Sequence, residues 1–242
     1  VSTALTIAVV LPELLDSNGD AANARVLAAR ARWAGVAQVD VVRLGEDWSG
    51  LTAAPAVVVV GTGAAHDLPA AREIVLANAD RLSDWHGEGA EIVAFGGGWE
   101  LLSEGTQTTG GFVAGAGIFP GHAVIGTERV TDDIIAETAL GTVVGFENHL
   151  RRFVGIPAGS AFGTVSYGVG NGDGTEGYAS GTLLGSHVHG PLLAKNPLVA
   201  DAILGRVAER IGVAYSAENP DARAADETAR AARDVIAKRL VK

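Results

Sequence analysis

Cysteine is absent from all 242 residues of the chain. That excludes a disulfide, a thiolate metal site and a cysteine nucleophile. Methionine is absent as well, and composition offers no physical reason for it. No apolar stretch approaches membrane-spanning length, so no membrane span is expected. A surplus of positive charge is also lacking: 18 Lys and Arg stand against 28 Asp and Glu, mixed along the chain, for a formal charge of -10. That balance argues against nucleic acid or an anionic lipid surface as a partner. The segment from Val1 to Val10 lacks the basic start of a signal peptide and runs straight into a core-like strand, so the cytoplasm is the expected location.

What is present is a folded, Ala/Val/Gly-rich composition, 48% hydrophobic with 33 glycines, at a length ample for a buried core. Ala4–Leu11 reads as a buried parallel strand ending at Pro12. Asn23 to Trp33 alternates like a helix, and Val39–Leu44 reads as a second strand. Ala56–Val60 is the plainest buried strand, stopped by Gly61-Thr-Gly63. A helix is expected from Pro69 to His86, then a strand over Ala90–Phe95, then Gly96-Gly-Gly98 and a helix from Trp99. Strands alternating with helices imply βαβ units and a parallel sheet. From Gly110 the pattern shifts to short β-like pieces (Ala123–Ile125, Thr142–Phe146, Gly163–Tyr167, Gly181–Val188), several of them expected to pair antiparallel as an extension at one sheet edge. Asn196 to Val213 is helical again, and Asp221 to Lys242 is an amphipathic helix. With no repeat and no flexible linker, residues 1–215 are expected to form one domain, with 216–242 a C-terminal helix packed on it.

Four places carry chemistry, each with a plain structural counterpart. At Ile92–Leu102 a strand breaks at glycines and a helix begins, the geometry of a nucleophile elbow. The tip is Gly96, which has no side chain to present, and tight packing alone explains such a turn. Gly61-Thr-Gly63 lies one βα unit earlier, so its amides fall beside the elbow and suit an oxyanion hole; glycine after a strand is otherwise common. His187 and His189 stand at period two, which puts both rings on one face of a strand. They suit metal binding or a general base, against an ordinary structural role at a strand end. No thiolate or carboxylate cluster accompanies them, so no metal is expected. Finally, Gly145-Phe-Glu-Asn-His149 with Arg151 and Arg152 suits a zwitterionic or carboxylate ligand, or else a solvated turn.

Read in order, Leu11-Pro-Glu-Leu-Leu…Asn18-Gly-Asp…Asn23 is similar to "PDLL..YGD.GN", and Gly61-Thr-Gly63…Asp67 to "GGG.D". Ala94-Phe-Gly-Gly-Gly-Trp-Glu-Leu-Leu102 is similar to "ICGGYQLL". Gly145–His149 reads "GFENH", Gly170–Gly177 "GN..DGTEG", and His189–Pro197 "HGPLLPKNP". Together, to about Leu204, these resemble the class I glutamine amidotransferases of the CobB/CobQ-like type, most of all the GatD subunits that work with a MurT-type partner. The resemblance implies an α/β, three-layer flavodoxin-like fold that hydrolyses glutamine without a cofactor. It implies ammonia delivered to a Mur-ligase-like synthetase, which amidates the D-glutamate α-carboxyl of the peptidoglycan precursor lipid II.

Carried over, His189 becomes the general base, the amides of Gly63 and Gly97 lie near the oxyanion, and Arg152 holds the substrate carboxylate. The family's nucleophilic Cys aligns with Gly96. Pro191 stands where many class I members carry a Glu two residues after the catalytic His, so the orienting acid is expected from the partner chain. Leu150-Arg151 replaces the glycines after "GFENH". Two readings stay open: a glutaminase subunit impaired at Gly96, or a non-catalytic relative that binds a partner or a small amide.

Overall fold

The computed structural model describes residues 4–240. Its strands are β1 (Leu5–Val10), β2 (Val39–Leu44), β3 (Val57–Val60), β4 (Glu91–Phe95), β5 (Gly105–Thr108), β6 (Gly111–Ala114), β7 (His122–Thr138), β8 (Gly141–Val154), β9 (Gly163–Tyr167), β10 (Thr175–Glu176), β11 (Tyr178–Ser180), β12 (Leu183–Ser186) and β13 (Val188–His189). The helices are α1 (Ala22–Trp33), α2 (Leu68–Ala77), α3 (Ala79–Gly87), α4 (Gly97–Leu102), α5 (Leu192–Lys195), α6 (Pro197–Ile211) and α7 (Pro220–Leu240).

The main sheet runs β11-β12-β4-β3-β1-β2, all parallel except β11 at its edge. Counting only the parallel strands, the order is 2-1-3-4-5, the doubly wound flavodoxin-like arrangement. The valine run of β3 shows why this sheet is a middle layer. Val57 and Val59 enter a core shared with Leu27 of α1 and Ile203 of α6, whereas Val58 and Val60 enter a second core with Val75 of α2 and Leu82 of α3. A strand buried on both faces must be apolar at every position, which is what Val-Val-Val-Val supplies.

The antiparallel part comprises β11 and most of a second sheet built on the long β7–β8 hairpin, with β6, β9, β10 and β13 joined antiparallel and β5 parallel to β7. These two strands run 17 and 14 residues, far longer than the pieces legible in the sequence. Their polar, partly exposed residues (Glu128–Asp133, Glu137–Thr138) hide the apolar alternation, and hairpin pairing rather than propensity holds them. The helix expected over Pro69–His86 divides at Asn78, whose side chain donates to the Ile74 carbonyl at 2.9 Å and competes with the backbone ladder. Gly212 (φ 70°, ψ 32°) closes α6 in the left-handed cap that glycine favours.

The terminal helix α7 lies against the domain. Ala222 and Ala229 are buried, Arg30 of α1 forms charge-assisted bonds with Asp201 and Asp226, and Arg239 pairs with Asp133. Val241 and Lys242, expected to continue that helix, lie outside the described residues. No helix among the described residues is long and apolar enough to cross a membrane.

Candidate active site

In a doubly wound sheet the ligand crevice lies beyond the carboxyl ends of the strands, where the strand order reverses. Here that point falls between β1 and β3, and three chain segments meet over it. The loop after β1 opens with Leu11 at φ 45°, an uncommon conformation for a non-glycine residue. It then runs across the turn after β3. A Cβ on Gly61 would stand 2.1 Å from the Leu15 carbonyl, and one on Gly63 would stand 2.5 Å from that of Leu14. Both glycines are therefore needed for backbone to lie on backbone, and this contact brings Asp20 over the sheet edge.

At the end of β4, Gly96 adopts φ 44° and ψ -116°. An L side chain is strained there, and strand-to-helix elbows use such a conformation. Facing it is His189, placed by β13 pairing with β8. Its Nδ1 lies 3.1 and 3.0 Å from the two oxygens of Asp20, with both side chains fully buried. An ionised carboxylate only accepts, so Nδ1 carries the proton and Nε2 of the neutral ring is left as an acceptor. That Nε2 is buried with no protein partner, and a Cβ built on Gly96 would lie 3.1 Å from it. An acid at His189 is expected from a partner chain; within this chain the carboxylate on its Nδ1 is that of Asp20, 169 residues away in sequence.

Thr62 lies between these parts with its polar groups committed. Its N–H donates to Asp20 at 3.1 Å. Its carbonyl accepts from the Ser17 N–H and hydroxyl, each at 3.0 Å. Its hydroxyl accepts the Gly97 N–H at 2.8 Å. Because the peptide is trans and planar, the Gly63 N–H points away from Ser17. Gly63 and Gly97 border a cavity of about 420 Å³, together with Gly96, Asn18, Glu100, Arg129, Asn148 and Arg151.

Residues 6–197 match the CobB/CobQ-like glutamine amidotransferase domain. The chain belongs to that family. Over 132 residues it is 36% identical to the lipid II isoglutaminyl synthase (glutamine-hydrolyzing) subunit GatD of Staphylococcus aureus. That alignment takes in 52% of this chain, and the chain spans about half the length of the curated relative, 52%. Among solved structures, PurLQS from Thermotoga maritima is 17% identical with a TM-score of 0.54, covering 86% of this chain and 98% of its own. A glutamine amidotransferase of the same organism is 10% identical, also at 0.54, covering 97% and 94%. These two likenesses concern the fold.

Within this amidotransferase domain the arginines divide in a way the sequence hid. Arg152, expected to hold the substrate carboxylate, lines a different cavity with Asn171, Gly172 and Asp173. A Cβ on Gly172 would meet its side chain at 2.5 Å. Arg129 and Arg151 border the cavity at Gly96 instead. Regular strand alternation puts consecutive Arg151 and Arg152 on opposite faces, and a bulge places Arg129: between the pairs Ile125–Arg151 and Val130–His149, four residues of β7 oppose Leu150 alone. Arg129 closes it and donates to Asn148 at 2.6 Å. Arg151 pairs with Glu100 at 3.1 Å; burial raises the Glu100 carboxyl, with Arg151 opposing.

The acid of Gly145–His149 is not at the ligand face. Glu147, fully buried, accepts the Val169 and Gly170 N–H groups and lies 3.0 Å from His149 Nε2. His187 and His189 do not share a strand face, because the chain leaves the main sheet after Ser186 and joins the second at Val188. His187 stacks on His149, 4.1 Å between ring centres, and burial pushes its pKa well below the ordinary value. No group of three or more His, Asp or Glu among the described residues is arranged to hold a metal ion.

Proposed function

We propose that this chain is the glutamine-binding subunit of an amidotransferase like that of its GatD relative. In that reading it works in the cytoplasm with a Mur-ligase-like, MurT-type synthetase that amidates the D-glutamate α-carboxyl of lipid II. The observation that carries the reading is the Asp20–His189 pair aimed at the Gly96 elbow, beside a polar cavity large enough for an amino acid. In this assignment His189 is the general base and the Gly63 amide faces the side-chain carbonyl of glutamine, while the Gly97 amide beside it is held by the Thr62 hydroxyl. Arg129, with free donors at the cavity wall, takes its carboxylate in place of Arg152.

The nucleophile position is Gly96, so thioester chemistry is closed to the chain as it stands. A second reading, a non-catalytic amidotransferase-like subunit that binds glutamine and a partner, is favoured by that one residue. Calorimetric titration with L-glutamine, alone and with a Mur-ligase-like subunit, paired with a glutamate-release assay, tests both. Binding without release is expected, with affinity lost in Arg129→Ala and kept in Arg152→Ala. Absence of glutamine binding would refute the assignment, and rapid glutamate release would refute impairment.

A further inference from the structure

We propose that Thr62 holds this site in a non-hydrolysing form: its hydroxyl occupies the space beside Gly96 and the Gly97 N–H that amide cleavage requires, so the pocket retains glutamine intact. The inference rests on reading the cavity as a glutamine site, and it goes further by naming a second lesion, independent of the missing thiol.

Two distances carry it. A Cβ built on Gly96 would stand 2.9 Å from Thr62 Oγ1, closer than a real Cβ approaches oxygen. The same Oγ1 accepts the Gly97 N–H at 2.8 Å in a buried setting. An amide proton held by a hydroxyl cannot also stabilise developing negative charge on a substrate carbonyl without first being released. The backbone of Thr62 has no freedom to drift, since its N–H is held by Asp20 and its carbonyl by Ser17. Relief must come from χ1. Of the three staggered positions on Cβ, one presents the hydroxyl to the Gly97 N–H and one the methyl; only the third, presenting hydrogen, clears the amide. His189 adds to the crowding, with Cε1 2.8 Å from the same Cβ point. A thiol placed at 96 alone therefore meets a filled space and an occupied donor.

The test compares full-length Gly96→Cys, Gly96→Cys/Thr62→Ala and Gly96→Cys/Thr62→Gly proteins, alone and with a Mur-ligase-like subunit. In the restored chemistry the introduced thiolate adds to the glutamine side-chain carbonyl and the C–N bond breaks. His189 returns its proton to the departing ammonia, and water then cleaves the thioester to glutamate. Losing one oxyanion donor costs about 10²–10³-fold in kcat in comparable enzymes. Both double variants should therefore exceed Gly96→Cys in kcat by about that factor, with KM little changed. A merely structural role for Thr62 would instead move the melting temperature or KM. The Thr62→Ala form decides the matter should the glycine variant fold poorly. Equal kcat for single and double variants that bind glutamine overturns the role of Thr62. Loss of glutamine binding in every protein, the unmodified chain included, overturns the reading of the pocket and this inference with it.

Discussion

Two buried histidine–carboxylate pairs, His189 with Asp20 and His149 with Glu147, are built for opposite ends in this molecule. At the crevice, His189 has one nitrogen on Asp20 and the other unpaired toward the Gly96 elbow. His149 on β8 borders the same cavity, yet has Nε2 on Glu147 and Nδ1 on the Arg151 carbonyl, so both of its nitrogens are spent within the protein. His187 has neither nitrogen partnered, and desolvation holds it neutral. Glu176, fully buried nearby, accepts the Ser186 hydroxyl and the His187 N–H, yet burial outweighs those bonds and pushes its pKa up to about 7. The contrast teaches that burial and a carboxylate partner do not by themselves mark a reactive histidine. What distinguishes His189 is a free nitrogen directed at open chemistry.

The largest effect should come from breaking the crevice pair. In the Gly96→Cys/Thr62→Ala protein, Asp20→Asn is expected to lower kcat by about 10⁴-fold, the cost seen when a triad histidine is left in the wrong tautomer. Glutamate release measures it, and an unchanged rate would erase the distinction between the two clusters. Next, Glu147→Ala strips the second cluster of an acceptor for two backbone N–H groups and His149. Leaving those donors buried and unpaired should cost about 3 kcal/mol of stability in urea unfolding.

Glu176 gives a pH signature of similar size. Its folded pKa, about 7, lies above the ordinary 4.5, so between those values the folded state binds the extra proton. Stability from this group is present below about 4.5 and is lost as pH rises toward about 7, roughly 3 kcal/mol at 1.36 kcal/mol per unit. His187 acts in the opposite sense, because its lowered pKa costs stability as pH falls below the ordinary histidine value. Urea midpoints across this range should therefore fall less steeply with rising pH in Glu176→Gln than in the unmodified chain. Identical profiles would mean that Glu176 is ionised throughout. The smallest effect belongs to the surface pair of Glu13 and Arg43, both mostly exposed. Glu13→Gln should leave the urea midpoint unchanged, which calibrates the buried carboxylates against a solvated one.

The sequence alone determined the chain's class and the order of its parts. Apolar runs closed by glycine (Val57–Gly61, Ile92–Gly96) dictate buried parallel strands with tight turns, since only such runs tolerate burial on both faces. It also determined that no thiolate serves this elbow. Tertiary structure decided which side chains meet there. Asp20 was visible within Asn18-Gly-Asp20, but its partner was not, because adjacency follows strand order and the loop lying on Gly61 and Gly63 rather than spacing along the chain. Arg129 reaches the cavity from a bulge in β7 that no periodicity announces. Thr62 became informative only when its hydroxyl was found on the Gly97 amide, for a hydrogen bond between two strand ends depends on angles and distances that the fold alone sets.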